Sequence, residues 1–452
     1  MGGSLQALID RAPLTAMQWR VWGLAAAGKF LEGMIVFTGG LSLPLLVDRF
    51  ALMPWQAGLV ASAALVGILV GALATGGLAD RWGRRPLFIA EMALLACGLL
   101  LAALSSSVAG LLVALVLTGL ALGADYPTAH LVIAESMPTA VRGRLVLAAF
   151  AFQALGVVTG TAMATLVLER CPGPMAWRWL QLLPLLPVAL VGWGRWGVPE
   201  SGHWLLSRGR RLDAQTQLAR LLEHPDLVLP PLAGGNPPAS EVTRWPGAWR
   251  QLLQPSLLRA TLLASLPWFL QDFATYGVGL FTPLLLVDGL GERSAARPTL
   301  LIDLGLLLGM AAAVGLADRW GRIPLQITGF VGCAAALLLA ALAHGAAARP
   351  AHGALLLAGL LLFQVMTNLG PNAQTYLLAG ELFPTAVRGS GAGLAAAAGK
   401  LGAVLTALVG PPLLAHWGAS PLLCVLAFTS LLGALVTWTC RIETRGRALD
   451  AS

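Results

Sequence analysis

The sequence predicts an all-α membrane protein in which twelve transmembrane helices form two related bundles of six. Composition is the first of three observations behind this prediction: 57% of the 452 residues are hydrophobic and 11% are charged, whereas soluble domains carry about 25% charged residues. The second observation is a series of twelve apolar runs, each about 20 residues long, which is the length that crosses a bilayer as a helix. The third is internal repetition, because loops of the first half recur at corresponding places in the second half.

The order of the runs divides the chain into three parts. Residues 1–198 contain six apolar runs, residues 199–256 are polar and rich in Pro and Gly, and residues 257–452 contain the other six runs and a polar tail. We therefore expect two bundles joined by a cytoplasmic linker with one or two short helices. Most arginines lie in segments that are cytoplasmic when Met1 is cytoplasmic, so the positive-inside rule predicts that both termini are cytoplasmic. We expect a multi-pass protein of a bacterial inner membrane.

Composition and spacing exclude several other classes of protein. The net charge of +8 comes from arginines between apolar runs, which indicates membrane topology rather than binding of nucleic acid. The five cysteines show neither metal-ligand spacing nor a disulfide framework. No Ser/His/Asp, Cys/His or metal-binding constellation occurs. We predict that the protein is not an enzyme and has no catalytic residue, metal, cofactor or obligate protein partner.

Two short loops are repeated between the halves. G-L-A-D-R-W-G-R occurs at residues 77–84 and 315–322, and E-x-x-P-T-A-V-R-G occurs at 135–143 and 381–389. Charges at these helix ends can bridge neighbouring helices, and such bridges must break when bundles rock against each other. We predict gating roles for these charges, and arginines that only set topology are the alternative interpretation. The predicted gating residues are Asp80, Arg81, Arg84, Glu135, Arg142, Asp318, Arg319, Arg322, Glu381 and Arg388.

The paired loops belong to a wider family pattern. Together with V-P-E-S-G-H-W-L-L-S-R-G-R at residues 198–210 and I-E-T-R-G-R-A-L-D at 442–450, they resemble the major facilitator superfamily, in its sugar-porter-like branch. The resemblance spans the whole chain. It implies the major facilitator fold, with two pseudo-symmetric six-helix bundles, a central substrate site and alternating access.

Charged side chains inside the apolar runs are candidate functional residues because they are costly in a bilayer. Only two lysines exist, Lys29 and Lys400. Lys400 lies near the middle of the eleventh run, where an ammonium needs a partner or an anionic ligand. Lys29 precedes Glu32 by three residues, which favours a structural ion pair at a helix end. Asp125 in the fourth run is a candidate proton carrier, and a neutral or ion-paired acid that fixes helix packing is the alternative.

The seventh run predicts a face that contacts a ligand. Trp268, Asp272 and Tyr276 follow one another at intervals of four residues and so share one side of a helix. They offer an indole N–H, a carboxylate and a phenol to the same space. A fixed cation with such donors favours capture of a small oxyanion, and Asp272 can accept a hydrogen bond from a protonated anion. The predicted substrate site consists of Tyr126, Gln153, Trp268, Asp272, Tyr276, Asn372 and Lys400.

A finer resemblance lies within the superfamily. D-Y-P at residues 125–127, W-x-x-x-D-x-x-x-Y at 268–276, G-P-N at 370–372 and G-K-L-G-A at 399–403 resemble the phosphate:proton symporters. The resemblance implies that the seven substrate-site residues surround phosphate and that Asp125 relays the proton. The chain departs from that family in its first run. The family typically shows two acids three residues apart, whereas this chain has Glu32 at the first position and Ile35 in place of the second acid. The predicted proton-coupling residues are Asp125 and Glu32.

We therefore predict a secondary active transporter that takes up inorganic phosphate with protons by alternating access. Its predicted partners are phosphate, protons and the lipid bilayer, and not nucleic acid. One alternative is a proton-coupled symporter of a sugar or an organic or aromatic acid from the same superfamily, although a mid-membrane lysine opposite Asp272 fits a neutral sugar poorly. A second alternative is a non-transporting membrane sensor on the same scaffold, in which degraded gate loops would be expected.

Overall fold

The structure is a computed structural model that describes residues 5–171, 173–229, 250–290, 296–345, 350–384 and 387–444. Within these residues the regular secondary structure is helical, and no strand is present. Helices suit a chain that crosses a bilayer because each satisfies its own backbone N–H and C=O groups where water is absent.

The helices before the linker match the first six predicted runs, with one interruption. α2 to α6 are continuous, whereas the sixth run is divided into α7 and α8 next to Pro184. A short amphipathic helix, α1, precedes them and buries Leu5 and Ile9. The bounds are α1 Leu5–Arg11, α2 Ala16–Phe50, α3 Pro54–Trp82, α4 Arg84–Leu104, α5 Val108–Ser136, α6 Thr139–Arg170, α7 Ala176–Leu182 and α8 Leu185–Trp196.

The predicted linker contains two short helices, α9 (Gly202–Ser207) and α10 (Arg211–Leu221). Both bury apolar residues in a cluster that also includes Leu5 and Ile9 of α1. The described part of the linker therefore packs against the first helices of the chain. The Pro/Gly-rich stretch lies mostly at residues 230–249, which fall outside the described residues.

The second half contains seven helices in its described part. The tenth predicted run is divided into α14 and α15 at Gly370 and Pro371, because a proline has no N–H for the helix ladder. A Cβ on Gly370 would lie 2.5 Å from the carbonyl oxygen of Leu325, so the glycine also permits close approach of a neighbouring helix. The bounds are α11 Pro255–Leu290, α12 Ala296–Trp320, α13 Arg322–Gly345, α14 Pro350–Leu369, α15 Pro371–Glu381, α16 Arg388–Trp417 and α17 Ala419–Thr439.

Ten segments of the described chain are long and apolar enough to cross a membrane. One of them, His352–Glu381, contains the break between α14 and α15. The other two predicted spans correspond to the divided pair α7 and α8 and to α11, which is 36 residues long and contains Pro267 and Pro283.

Internal contacts divide the chain into two compact units. Unit 1 comprises Met1–Ile35, Gly67–Gly156 and Gln181–Val242, and unit 2 comprises Val36–Val66, Val157–Leu180 and Thr243–Ser452. Unit 2 thus includes the parts of α2, α3 and α6 that are far from the paired loops, and we call this end of the helices the distal end. The domain boundaries expected from the sequence, 1–198, 199–256 and 257–452, stay a prediction.

The distal end of unit 2 is closely packed. A Cβ on Gly58 of α3 would overlap the carbonyl oxygen of Leu408 on α16, so the two backbones are in contact. Small residues allow such close approach between membrane helices. A buried apolar cluster lies at the same end and joins residues of α2, α6, α7 and α12, namely Leu41, Ala164, Leu180 and Ala296.

Candidate functional site

Lys400 on α16 contacts two polar residues of α11. Its Nζ donates a hydrogen bond to the Tyr276 hydroxyl at 2.9 Å and lies 3.5 Å from Oδ2 of Asp272. Only 13% of the Lys400 side chain and 4% of the Asp272 side chain are exposed. The face predicted for the seventh run is therefore directed towards the lysine. The ammonium and the carboxylate compensate each other, which makes the burial of both charges tolerable.

Aromatic side chains surround this charge pair. Trp268, one turn before Asp272, is buried and meets Tyr376 of α15 edge-on, with ring centroids 6.2 Å apart and planes at 75°. Gly399 allows this arrangement, because a Cβ there would lie 2.6 Å from Cδ1 of Trp268. The ring of Phe37 lies 5.7 Å from that of Tyr276. This part of unit 2 therefore brings the Lys400 ammonium and the Asp272 carboxylate close to the rings of Trp268 and Tyr376. We call these two rings the aromatic wall.

Two asparagine side chains add polar groups near the break in the tenth run. Asn372 of α15 donates to Asn368 of α14 at 2.8 Å, across Gly370 and Pro371. Asn368 in turn donates to the backbone carbonyl of Gln364 at 2.9 Å. The sequence pattern predicted Asn372 but not Asn368, which precedes it by four residues on the other side of the break.

The remaining predicted substrate residues, Tyr126 and Gln153, lie in unit 1. Tyr126 contacts Lys29, whose Nζ lies 3.6 Å from the centre of the ring. Lys29 also pairs with Glu32 at 2.8 Å, and the side chains are only 9% and 3% exposed. The ion pair predicted for Lys29 and Glu32 is therefore present, and both of its side chains are buried. Gln153 is half-buried on α6.

Asp125 is paired with an arginine that sequence analysis did not connect to it. Arg195 of α8 is fully buried, and its Nη2 donates to Oδ1 of Asp125 at 2.5 Å. Its Nη1 donates to Glu91 of α4 at 3.3 Å and to the carbonyl of Phe88 at 2.9 Å. This geometry matches the alternative of an ion-paired acid that fixes helix packing. The proton-carrier roles of Asp125 and Glu32 stay predictions.

The paired loops of the first half form one network in unit 1. Arg84, at the start of α4, makes a two-pronged contact with Glu135 at the end of α5, with distances of 2.9 and 3.1 Å. Glu200 accepts hydrogen bonds from the backbone N–H groups of Arg84 at 3.0 Å and Arg85 at 3.2 Å. It therefore caps the first turn of α4, where a negative charge is favourable. Gly83 has a φ of 102°, a value that favours glycine.

The second half repeats this network in unit 2. Arg322, at the start of α13, lies 3.3 Å from Glu381 at the end of α15. Glu443 accepts from the backbone N–H groups of Arg322 at 3.0 Å and Ile323 at 3.1 Å. Gly321 has a φ of 95°. The repeat of the sequence is thus also a repeat of hydrogen bonds, and each observed network is internal to one unit.

The structure describes the side chains of only some of the other predicted gating residues. The side chains of Asp80, Asp318 and Arg388 lie outside the described residues. Arg81 and Arg319 are exposed, and Arg142 donates to the carbonyl of Met137 at 3.4 Å. The gating roles themselves stay predictions.

The sequence pattern did not assign Glu200 and Glu443 to the hydrogen-bond networks of the paired loops. The sequence signal was present, because each acid follows the last span of its half and precedes a hydroxyl residue, in P-E-S-G and I-E-T-R-G.

Two titratable groups near the loops have shifted pKa values. The backbone N–H of Thr139 donates to Asp10 at 2.8 Å, and this bond is the main reason why the pKa of Asp10 is lowered. Burial lowers the pKa of His203, an effect that Glu135 opposes and that Arg142 and Arg84 increase. His203 is therefore neutral at physiological pH, so it adds no positive charge to the network of Arg84 and Glu135.

Within the part of the chain that the structure describes, no group of three or more His, Cys, Asp or Glu side chains could hold a metal ion.

Comparison with known proteins identifies the family. The family model described as "Sugar (and other) transporter" matches residues 44–451. The chain belongs to this family. The inner membrane metabolite transport protein YgcS of Escherichia coli is 27% identical over 445 residues, covering 98% of this chain and 96% of the relative. The niacin transporter NiaP of Acinetobacter baylyi is 26% identical over 445 residues, with 98% of each chain covered.

A further relative and a solved structure agree with this assignment. The 4-hydroxybenzoate transporter PcaK of Pseudomonas aeruginosa is 29% identical over 432 residues, covering 95% of this chain and 93% of the relative. The inward open structure of the xylose transporter XylE from E. coli has a TM-score of 0.78 at 19% identity, covering 96% of this chain and 98% of that chain. At this identity the likeness establishes the fold alone, which is the predicted major facilitator fold.

These findings confirm an all-helical, multi-pass membrane transporter rather than an enzyme. They do not support the predicted phosphate branch, because the relatives' names refer to metabolites, niacin and 4-hydroxybenzoate. The predicted alternative, a transporter of sugars or organic acids, is the better supported. The resemblance to phosphate symporters rested on four short motifs, D-Y-P, W-x-x-x-D-x-x-x-Y, G-P-N and G-K-L-G-A.

Proposed function

We propose that the protein is a proton-coupled transporter of a small organic monoanion, of the aromatic carboxylate class, that works by alternating access. The observation that carries the proposal is the cluster in unit 2 in which Lys400 lies beside Tyr276 and Asp272 and Trp268 meets Tyr376. An ammonium and a phenol are donors for a carboxylate. The edges and faces of Trp268 and Tyr376 can pack against an aromatic ring.

The charge of this cluster favours a monoanion over a dianion. Lys400 and Asp272 together carry no net charge, and the carboxylate lies only 3.5 Å from the ammonium. A second negative charge on the ligand would be repelled by Asp272 in a site shielded from water. A monocarboxylate brings one negative charge to Lys400, and entry together with one proton makes its transport electroneutral.

The relatives' names support the same class of substrate. NiaP is named for niacin and PcaK for 4-hydroxybenzoate, and each of these compounds combines one carboxylate with one aromatic ring. A sugar offers hydroxyl groups to Asp272 and Asn372 but leaves Lys400 without an anionic ligand. The mid-membrane lysine therefore favours the acid over the sugar.

The test is transport by the purified protein in proteoliposomes. Radiolabelled 4-hydroxybenzoate, nicotinate, phosphate, glucose and xylose are compared with and without an imposed pH gradient, alkaline inside. We expect uptake of at least one of the two aromatic acids and its stimulation by the gradient. Uptake of phosphate or a sugar in the absence of aromatic acid uptake would overturn the proposal.

A glycine substitution tests the aromatic wall. In Gly399→Ala the new Cβ would lie 2.6 Å from Trp268 Cδ1, so the indole must move. We expect the Kd for the aromatic acid to rise about tenfold, which corresponds to ~1.4 kcal/mol. Gly393→Ala is the matched control, because it lies on the same helix and its Cβ would meet nothing within 4 Å. Ligand binding to both variants is measured by titration, and equal affinities would remove Trp268 from the site.

A further inference from the structure

Asp303 of α12 is a buried carboxylate that the substrate site does not use. Its residue is 4% exposed. Oδ2 accepts a hydrogen bond from the hydroxyl of Thr161 on α6 at 2.7 Å. Oδ1 accepts from the side-chain amide of Gln364 on α14 at 3.4 Å. All three residues belong to unit 2.

The carboxylate lacks the cation that the other buried acids have. In the described residues Glu32 pairs with Lys29, Asp125 and Glu91 share Arg195, and Asp272 pairs with Lys400. No Lys, Arg or His in the same part of the chain forms an ion pair with Asp303. Burial of an ionised carboxylate away from water, with two neutral hydrogen-bond partners and no cation, has an unfavourable free energy.

Charged groups near Asp303 do not change this conclusion. Arg297 lies on the same helix, about 9 Å away along the axis, and it is exposed and paired with Glu169 of α6. Other titratable side chains lie on helices packed against α12, but among the described residues none hydrogen-bonds to Asp303. They include Glu169 on α6, Asp272 and Tyr276 on α11, Cys333 on α13 and His352 on α14.

The surroundings of Asp303 accept a protonated carboxyl as well. The Thr161 hydroxyl can act as donor or acceptor, so the 2.7 Å hydrogen bond is retained when the proton belongs to Asp303. Oε1 of Gln364 is a buried acceptor without a hydrogen-bond partner among the described residues. Rotation of that amide would give the second carboxyl oxygen a partner for its proton.

The position of Asp303 connects proton binding to conformational change. Thr161 belongs to the first predicted bundle and Asp303 to the second, and their contact lies at the distal end near Ala164, Leu180 and Ala296. Alternating access requires distal contacts between bundles to form and break. When Thr161 moves away, water reaches Asp303 and stabilises its charge. When the contact forms, the carboxylate loses this water.

We propose that Asp303 is a proton-binding site of the transport cycle, and that closing the contact between α6 and α12 requires its protonation. The proposal rests on the proton coupling in the proposed function. Asp303 accepts the proton from hydronium on the distal side, so the O–H bond of the carboxyl forms as an O–H bond of hydronium breaks and leaves water. An unprotonated Asp303 resists closure, so transport of substrate from that side carries a proton with it.

The experiment measures distal opening directly. A single cysteine replaces Thr165, one turn from Thr161, in a background without the native cysteines. Its rate of reaction with a membrane-impermeant thiol reagent is measured between pH 5 and 8. At each pH this rate is divided by the rate for the same cysteine in the unfolded chain, because only the thiolate reacts, and labelling below means this ratio. We expect labelling to slow as the pH falls. In Asp303→Asn, which mimics the neutral acid, labelling should be slow at every pH. Uptake driven by the pH gradient should fall to the level of protein-free liposomes while substrate exchange continues.

Asp48→Asn is the matched control, because Asp48 is an exposed acid at the distal end of α2, and it should behave like the parent. If Asp303→Asn is not recovered folded, Asp303→Ser tests the same loss of titration. The proposal is overturned when labelling of the parent does not depend on pH, or when a folded neutral variant keeps the parent's pH dependence. The labelling needs no substrate, so these outcomes are separate from failure of the parent to transport an aromatic acid.

Discussion

Lys400→Gln should abolish transport of the aromatic carboxylate, because it removes the cation that pairs with Asp272 and Tyr276. The single variant has a second defect, since an acid that is 4% exposed is left without its counter-charge, which costs ~3–5 kcal/mol. Loss of activity in the single variant alone therefore does not separate ligand binding from folding. Ligand binding, uptake and thermal unfolding are measured on the same preparation.

The double variant Lys400→Gln/Asp272→Asn separates the two roles. It removes both charges, keeps similar shapes and hydrogen-bonding groups, and should recover most of the thermal stability lost by the single variant. We expect it to remain unable to bind the carboxylate, because the anion has no cation to meet. Recovery of transport by the double variant would mean that Lys400 only balances Asp272, and would contradict its assignment to the substrate. Lys400→Arg should also fail, because a planar guanidinium does not replace a compact ammonium.

The fold could be predicted from the sequence because its determinants are local and repeated. Each apolar run is long enough to span, and the duplicated loops indicate two related halves. The breaks were harder to predict, since Pro184 and Pro371 divide a run whereas Pro127 and Pro267 lie within continuous helices. Whether a proline ends a helix depends on whether neighbouring groups satisfy the freed carbonyl, and that information is tertiary.

The candidate site could be predicted where its residues share one helix face. Trp268, Asp272 and Tyr276 are four residues apart, and helical geometry alone places them together. The cost of a cation in the membrane predicted a partner or an anionic ligand for Lys400, and in the structure Asp272 and Tyr276 contact it. Arg195 was missed for the opposite reason, since it is distant from Asp125 in sequence and only the packing of α8 against α4 and α5 brings it to the acid.

The identity of the substrate was the part of the function that the sequence pattern predicted least well. Lys400, Tyr276 and Asp272 are consistent with any small anion, and their chemistry alone does not separate phosphate from a carboxylate. The distinction depends on what surrounds the charge. Tyr376, which forms the aromatic wall with Trp268, belongs to a different helix and was not part of the sequence-based site.

Arg195, Asp125 and Glu91 form a buried cluster that joins α8, α5 and α4. One guanidinium faces two carboxylates, so the ionised cluster would carry one net negative charge in a site that water does not reach. Neutral substitution of either acid would leave Arg195 with the other carboxylate as its counter-charge. Asp125 and Glu91 are therefore compared as the group that exchanges a proton during transport.

Asp125→Asn should fold, bind substrate and exchange it down a gradient, but should no longer accumulate it against one. Folding survives because Arg195 keeps Glu91 as its counter-charge, and accumulation is lost because the amide cannot titrate. Glu91→Gln is the matched variant, since it makes the same change of charge on the other acid. Both are measured for thermal unfolding, exchange and uptake driven by a pH step. Accumulation by Asp125→Asn at the parent's level would rule out its proton-carrier role, and a loss confined to Glu91→Gln would assign the proton to Glu91 instead.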